Sequence, residues 1–250
     1  MAELLVLWDV DYTLVNAAGL GTRLYEDVFL ELFGRELVAV APKAGRTDRA
    51  ITLDTLVLAR VDEPQRWVED FLAALARRVA ALDGAETAHV RAEAGARGAI
   101  AALAVAGLRQ SVLTGNIRPL AALKLRAAGL GQHLDLDVGA YGDVHEVRAE
   151  LVPVARLAAA RAYGADFSGL STVLVGDTPL DVAAALATGA RAVGVATGSF
   201  SAAHLVSAGA HAVLADLTDA ALVLAAVTGA FSGLAVTDLA AEADRVRSRP

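Results

Sequence analysis

The run Leu4-Leu5-Val6-Leu7-Trp8-Asp9-Val10-Asp11-Tyr12-Thr13 decides the fold. From Leu4 to Val10 it is apolar almost without a break, which predicts a short strand buried on both faces. It then gives way to a polar turn carrying two aspartates, Asp9 and Asp11. Ligands of open parallel sheets bind beyond the carboxyl ends of the strands. An acidic turn at the end of a buried strand is therefore the first place to look for chemistry.

Working outward, Leu20 to Ala81 reads as helical. LYEDVFLELFG and WVEDFLAALARRVAAL both repeat apolar residues at three- and four-residue spacing, and Gly34, Pro42 and Pro64 punctuate the stretch. After Gly95 the pattern alternates. ARGAIAALAVAG predicts a helix closed by Gly107, QSVLTGN a strand, IRPLAALKLRAAGL a helix, and LDLDVGAYG a weaker strand. LVPVARLAAARAYG predicts the next helix, STVLVGD a buried strand, PLDVAAALATG a helix, and RAVGVATG and HAVLADL two more strands. A last helix and a charged tail, DRVRSRP, follow. Strands alternating with helices imply an α/β fold, a doubly wound parallel sheet. The expected organisation is an α/β core of residues 1–15 and 90–250, interrupted by a helical insert over residues 16–89.

Bulk properties exclude several functions. Hydrophobic residues make up 56% of the 250, enough for a substantial core. The net charge of −7, without Lys/Arg runs, argues against nucleic acid and anionic membranes as partners. With no cysteine, thiol catalysis, disulfides and Cys-ligated metals drop out, and the composition suits a reducing cytoplasm, the expected location. No signal peptide is evident. Ala220 to Thr237 is uncharged and near the length of a membrane span, but Thr228, Gly229, Ser232 and Gly233 favour a half-buried helix ending near Gly229.

Polar residues following the predicted strands converge on one rim: Asp9 and Asp11; Thr114, Gly115 and Asn116; Gly176 and Asp177, with Asp181 four residues on. Carboxylates crowded on one rim repel one another, and a hard divalent cation relieves this; oxygen-only ligation favours magnesium. One of the Asp9/Asp11 pair could ligate the metal and attack phosphorus, and the other could handle protons. Thr114 would donate to a phosphoryl oxygen, and Gly115 lets backbone N–H groups come close. A side-chain cation would balance the transferring group.

These motifs, in this order, resemble those of the haloacid-dehalogenase-like hydrolases. Asp9-Val10-Asp11-Tyr12-Thr13 resembles the DxDxT signature, Leu113-Thr114-Gly115-Asn116 the second motif, and Gly176-Asp177-Thr178-Pro179-Leu180-Asp181 the GDxxxD fourth motif. The resemblance runs from Leu4 to about Leu217 and is nearest the phosphoglycolate phosphatase and β-phosphoglucomutase branch. It implies a Rossmann-like core with the insert as a cap, Asp9 as nucleophile and Asp11 as general acid/base. It also implies Mg2+ held by Asp9, the Asp11 backbone carbonyl and Asp177, with Asp181 assisting. The family's third motif usually supplies a Lys, but here Val147-Arg148-Ala149-Glu150 stands in its place. Arg148 is the natural substitute and Lys124 the other candidate cation, counted with Thr114, Gly115 and Asn116 among the residues expected to bind substrate. In the cap, Gly45-Arg46-Thr47-Asp48-Arg49 resembles the branch's substrate-specificity loop, which makes Arg46, Thr47 and Arg49 candidates for substrate contact. The five histidines show no ligand spacing, and Trp8 and Trp67 are assigned to packing.

The leading expectation is a phosphomonoesterase acting on a small phosphorylated metabolite. A phosphomutase of the same branch is the alternative, and a binding protein on the same fold the third reading. Nothing in the sequence signals an oligomeric state.

Overall fold

The first strand, β1 (Leu5–Trp8), is fully buried and alternates its side chains between two cores. Val6 and Trp8 face one, Leu5 and Leu7 the other, as the period-two geometry of a strand requires. This computed structural model describes residues 3–230 of the chain. After β1 come β2 (Val15–Asn16), α1 (Leu20–Phe33), α2 (Asp48–Leu58), α3 (Val68–Ala80) and the single turn α4 (Gly84–Thr87). Then follow β3 (Arg91–Ala92), α5 (Ala96–Val105), β4 (Arg109–Val112), α6 (Arg118–Ala127), α7 (Leu151–Tyr163) and β5 (Thr172–Gly176). The described chain closes with α8 (Pro179–Ala187), β6 (Arg191–Val195), α9 (Ala202–Ser207), β7 (Ala212–Leu214) and α10 (Ala220–Thr228).

Five strands form one parallel sheet in the order β4-β1-β5-β6-β7. Helices cover both faces, as an all-parallel sheet demands. Helices α5, α6 and α10 supply Ile100, Leu120 and Val223 to the Trp8 side; α7, α8 and α9 supply Leu151, Val182 and Leu205 to the Leu7 side. The helices of residues 20–87 pack into the Trp8-side core through Tyr25, Phe29, Phe71 and Leu75. Trp8 donates its indole N–H to Gln110 Oε1 (3.1 Å), and Gln110 donates to the Ile100 carbonyl (2.9 Å). That chain satisfies the polar groups buried between β1, β4 and α5.

Register positions the site. Trp8 lies level with Val112 on one side and Val175 on the other. The residues that follow, Asp9, Leu113-Thr114 and Gly176-Asp177, therefore leave the sheet together at one edge.

Two elements differ from the sequence reading. LDLDVGAYG is no strand; it contributes one bridge, Leu113 to Ala140, because the chain turns at Leu136-Asp137, where the Asp137 N–H donates to the Asp135 carboxylate (3.1 Å), and no continuous apolar run remains to pair. A two-stranded antiparallel pair, Val15–Asn16 with Arg91–Ala92, was not foreseen. Two residues per strand are too few to show a period, yet this pair carries the chain into and out of the helical segment. The last helix ends at Thr228 with Gly229 in the left-handed region, as expected, but the rest of the Ala220–Thr237 stretch and the DRVRSRP tail lie outside the described residues. No helix of the described residues is long and apolar enough to cross a membrane.

Candidate active site

Between the carboxyl edge of the sheet and the helical segment lies a cavity of about 470 Å3. Asp9, Asp11, Thr114, Lys124, Arg148 and Asp177 line it from the core, Lys43 and Arg46 from the helical side. The turn after β1 aims the aspartates. Leu14 and Val15 both donate backbone N–H groups to the Val10 carbonyl (3.0 and 2.8 Å), and Tyr12 donates to Val15 (2.8 Å). Tyr12 has φ of +58°, a left-handed conformation that costs a non-glycine residue about 1–2 kcal/mol. The hydrogen bonds hold the turn closed at that cost, and both Asp9 and Asp11 line the cavity.

Asp9, Asp177 and Asp181 are all buried, and each offers a carboxylate oxygen within 4.8 Å of the others. Burial, then the neighbouring carboxylates, push the Asp177 carboxyl well above the ordinary range. Asp9 is also pushed up, chiefly by burial, against the opposing pull of Arg148. Three crowded oxygen donors suit a hard divalent cation, whose charge would relieve that repulsion.

Arg148 opens the 3-10 turn before α7 and is itself buried. One nitrogen, Nη2, lies 2.7 Å from Asp9 Oδ1, 2.6 Å from Asp181 Oδ1 and 3.0 Å from the Leu113 carbonyl. Of the two candidate cations this is the one against Asp9. Asp181 is largely consumed by its neighbours: it makes a capping box with Thr178, accepting from the Thr178 hydroxyl at 2.7 Å, besides its pair with Arg148. Thr178 is the N-cap of α8, which leaves Asp177 free of the capping role its position could have served.

Lys124 is placed elsewhere. Its ammonium lies 2.7 Å from both Asp11 oxygens and from Asn116 Oδ1, and Asn116 Nδ2 donates to Asp11 Oδ2 at 2.7 Å. Burial alone would raise the Asp11 carboxyl; the Lys124 charge and these hydrogen bonds outweigh it and hold Asp11 below its ordinary range. The Thr114 side-chain oxygen accepts from Asn116 Nδ2 (3.0 Å), which leaves its hydroxyl hydrogen free to point at the cavity.

The loop before α2 does not meet every expectation. Arg46 borders the cavity, but its guanidinium is committed to Asp54 (2.6 Å) and the Pro42 carbonyl (3.1 Å). Thr47 and Arg49 do not line the cavity. Thr47 is the buried N-cap of α2 and donates to the Glu146 carbonyl (2.9 Å), while Arg49 donates to the Asp143 carbonyl (2.9 Å) and pairs with Glu69. Both join the helical segment to the core, because the loop lies flat on it: Asp48 N–H donates to the Gly115 carbonyl (2.7 Å) and Arg49 N–H to Gly142 (2.9 Å). This approach requires glycine. A Cβ on Gly115 would fall 1.9 Å from the Arg46 carbonyl oxygen, and one on Gly142 1.8 Å from that of Gly115.

Sequence reasoning missed three residues that border the cavity, Tyr25, Lys43 and Asp48. Asp48 is buried, accepts from the Ile117 N–H (2.8 Å) and from the Tyr25 hydroxyl (3.0 Å), and is pushed up to about 6 by burial. Lys43 reaches the cavity and hydrogen-bonds Thr22. An acid at the first turn of a helix reads as a macrodipole partner, and a tyrosine in an amphipathic helix as core; no local signal marks either as bordering a site.

A family model described as haloacid dehalogenase-like hydrolase matches residues 6–186. No curated protein matches the chain by sequence. Among solved structures, a phosphonoacetaldehyde hydrolase-like protein from Oleispira antarctica is 16% identical with a TM-score of 0.64, covering 94% of this chain and 95% of its own. A beta-phosphoglucomutase-like protein from Bacteroides vulgatus is 17% identical with a TM-score of 0.63, covering 92% and 91%. A HAD family hydrolase from Deinococcus radiodurans R1, solved with bound phosphate and sodium, is 25% identical with a TM-score of 0.51, covering 92% and 96%.

Proposed function

The chain belongs to the haloacid dehalogenase-like hydrolase family, and from that premise we propose that it is a magnesium-dependent phosphatase cleaving a small phosphate monoester through an aspartyl-phosphate on Asp9. The observation that carries this reading is the placement of Asp9. It stands at the edge where three parallel strands end, faces the cavity, and is held by Arg148 beside Asp177 and Asp181. The phosphate held by the Deinococcus relative supports it.

In this mechanism Thr114 and the backbone around Gly115 orient the phosphoryl group. Arg148 fills the place of the third-motif Lys: it fixes one Asp9 oxygen and leaves the other to attack phosphorus. As the Asp9 O–P bond forms, the ester bond breaks; the phosphate charge of the bound substrate, beside Asp11, opposes the pull of Lys124 and favours the protonated carboxyl, which passes its proton to the departing oxygen. Water then attacks the phosphorus, Asp11 takes its proton, and Asp9 is released with inorganic phosphate. Magnesium, held by Asp9, the Asp11 carbonyl and Asp177 with Asp181 nearby, would screen charge between the attacking carboxylate and the phosphoryl oxygens. The helical segment acts as the cap, excludes bulk water and borders the leaving group with Lys43 and Arg46. The proposed partner is a small phosphorylated metabolite, in the cytoplasm.

The test is hydrolysis of p-nitrophenyl phosphate with and without Mg2+, beside Asp9→Asn. Release that needs Mg2+ and falls by at least about a thousandfold in the variant is expected. Release that survives in Asp9→Asn overturns the assignment. Activation by a sugar bisphosphate would reassign the site to a phosphomutase.

A further inference from the structure

Lys124 is nearly fully buried, its side chain 3% exposed on α6. Burying an ammonium costs several kcal/mol unless its donors are met. It has three N–H donors, and three acceptors surround it at 2.7 Å: Asp11 Oδ1, Asp11 Oδ2 and Asn116 Oδ1. No donor remains for a substrate, so the expected role of Lys124 in substrate binding does not fit this geometry. Asn116 completes a closed clasp by donating Nδ2 to Asp11 Oδ2.

The clasp has a direction. A carboxylate oxygen offers two lone pairs. Among the described residues, Oδ2 of Asp11 accepts two side-chain hydrogen bonds, from Lys124 and Asn116, and Oδ1 accepts one, from Lys124. One lone pair, on Oδ1, is left open on the side chain that lines the cavity.

We propose that Lys124 is a positioning residue: with Asn116 it holds the Asp11 carboxylate so that its open Oδ1 lone pair receives a proton from the water that cleaves the aspartyl-phosphate. This rests on the phosphatase reading above. In the step, the water oxygen bonds to phosphorus, the Asp9 O–P bond breaks with its electron pair returning to Asp9, and the water proton passes to Asp11 Oδ1. Formation of the intermediate from an ester with a good leaving group does not call on Asp11, so a loosened clasp slows the second half of the reaction selectively.

The experiment is rapid-mixing kinetics of Lys124→Met on p-nitrophenyl phosphate with Mg2+, beside wild type, Lys124→Arg and Asp11→Asn. In Lys124→Met, kcat is expected to fall about tenfold or more, a part of what a positioned base contributes. KM should fall in parallel, so that kcat/KM stays within about threefold. A burst of nearly one p-nitrophenolate per active site marks the accumulating phosphoenzyme. Lys124→Arg recovers part of kcat. Parallel loss of kcat and kcat/KM without a burst, the signature of a merely structural lysine, overturns the proposal. Asp11→Asn separates the two levels: if it bursts and Lys124→Met does not, only the Lys124 role fails; if neither bursts, the role of Asp11 as base fails as well. Should Lys124→Met not fold, Asn116→Ala removes the other half of the clasp, and the presence or absence of its burst decides in the same way.

Discussion

Asp9 and Asp11 leave one strand two residues apart and end in opposite surroundings. Asp9 is sunk among carboxylates, with Arg148 as its cation, and burial pushes its carboxyl up. Asp11 is about one-third exposed, gripped by Lys124 and Asn116, and pulled down. Paired carboxylates with environments that drive them apart are how one site runs two kinds of chemistry. Here the division lies in the cations. Arg148 reaches two buried acids and a carbonyl from a single nitrogen; Lys124 points three donors at one carboxylate and its amide neighbour. The planar fork suits a node between elements, and the compact ammonium suits a clasp.

Breaking the first arrangement should have the largest effect. Arg148→Met leaves Asp9 and Asp181 buried without their cation, and such removals cost about 3–5 kcal/mol. A thermal melt near neutral pH without metal should fall by roughly 6–20 °C, at 2–4 °C per kcal/mol for a chain of this size. If Mg2+ can occupy the acidic cluster, it should restore part of that loss. A melt within 2 °C of wild type would mean that Arg148 does not compensate the cluster.

Asp177→Asn sharpens the comparison in the opposite direction. Asp177 lies beside Asp9 and Asp181 and has no cation within salt-bridge distance among the described residues, so near neutral pH its carboxyl must take up a proton to be buried there, a cost that an amide does not carry. Without metal the variant should melt about 2–8 °C higher near neutral pH, from roughly 1–2 kcal/mol of avoided cost. The stabilisation that saturating Mg2+ gives the wild type should shrink sharply. An unchanged Mg2+ shift would place the ion elsewhere.

The division between legible and hidden follows the range of the interactions. Asp9, Asp11, Thr114 and Asp177 follow closely on buried strands, with Asp181 in the first turn of the next helix, and a parallel sheet with matched register brings strand ends together; sequence order alone was enough to list them. Choosing between Arg148 and Lys124 was beyond local pattern. Each reaches its carboxylate across more than a hundred residues, and only the packing of α6 against the first turn sends Lys124 to Asp11. The loop at residues 45–49 misled for a related reason. Its polar residues were read as facing a ligand, whereas Thr47 and Arg49 satisfy core carbonyls, a need that exists only because Gly115 and Gly142 let the loop lie against the core.

The smallest effect concerns the acid that borders the site from the helical side. Burial pushes Asp48 up from 3.8 to about 6, opposed by the hydrogen bond from Ile117 N–H, the Lys124 charge and the bond from Tyr25. A carboxyl whose folded value is raised binds its proton more tightly in the folded protein. Its contribution is therefore fully present below the unfolded value and is lost as pH rises from about 4 through about 6. Above that window the wild type carries a buried carboxylate that the unfolded chain would hydrate. Asp48→Asn keeps one oxygen for the Ile117 N–H, turns its amide N–H2 toward the Tyr25 hydroxyl oxygen, and carries no charge. Against wild type it should melt about 2–4 °C higher at pH 7.5, from roughly 1 kcal/mol, and the difference should vanish near pH 4. Paired melts at several pH values measure this directly. A difference that does not change with pH would mean that the Asp48 charge is already compensated, by Lys124 across the cavity, and that the helical segment and the core are joined electrostatically as well as by the backbone hydrogen bonds at Gly115 and Gly142.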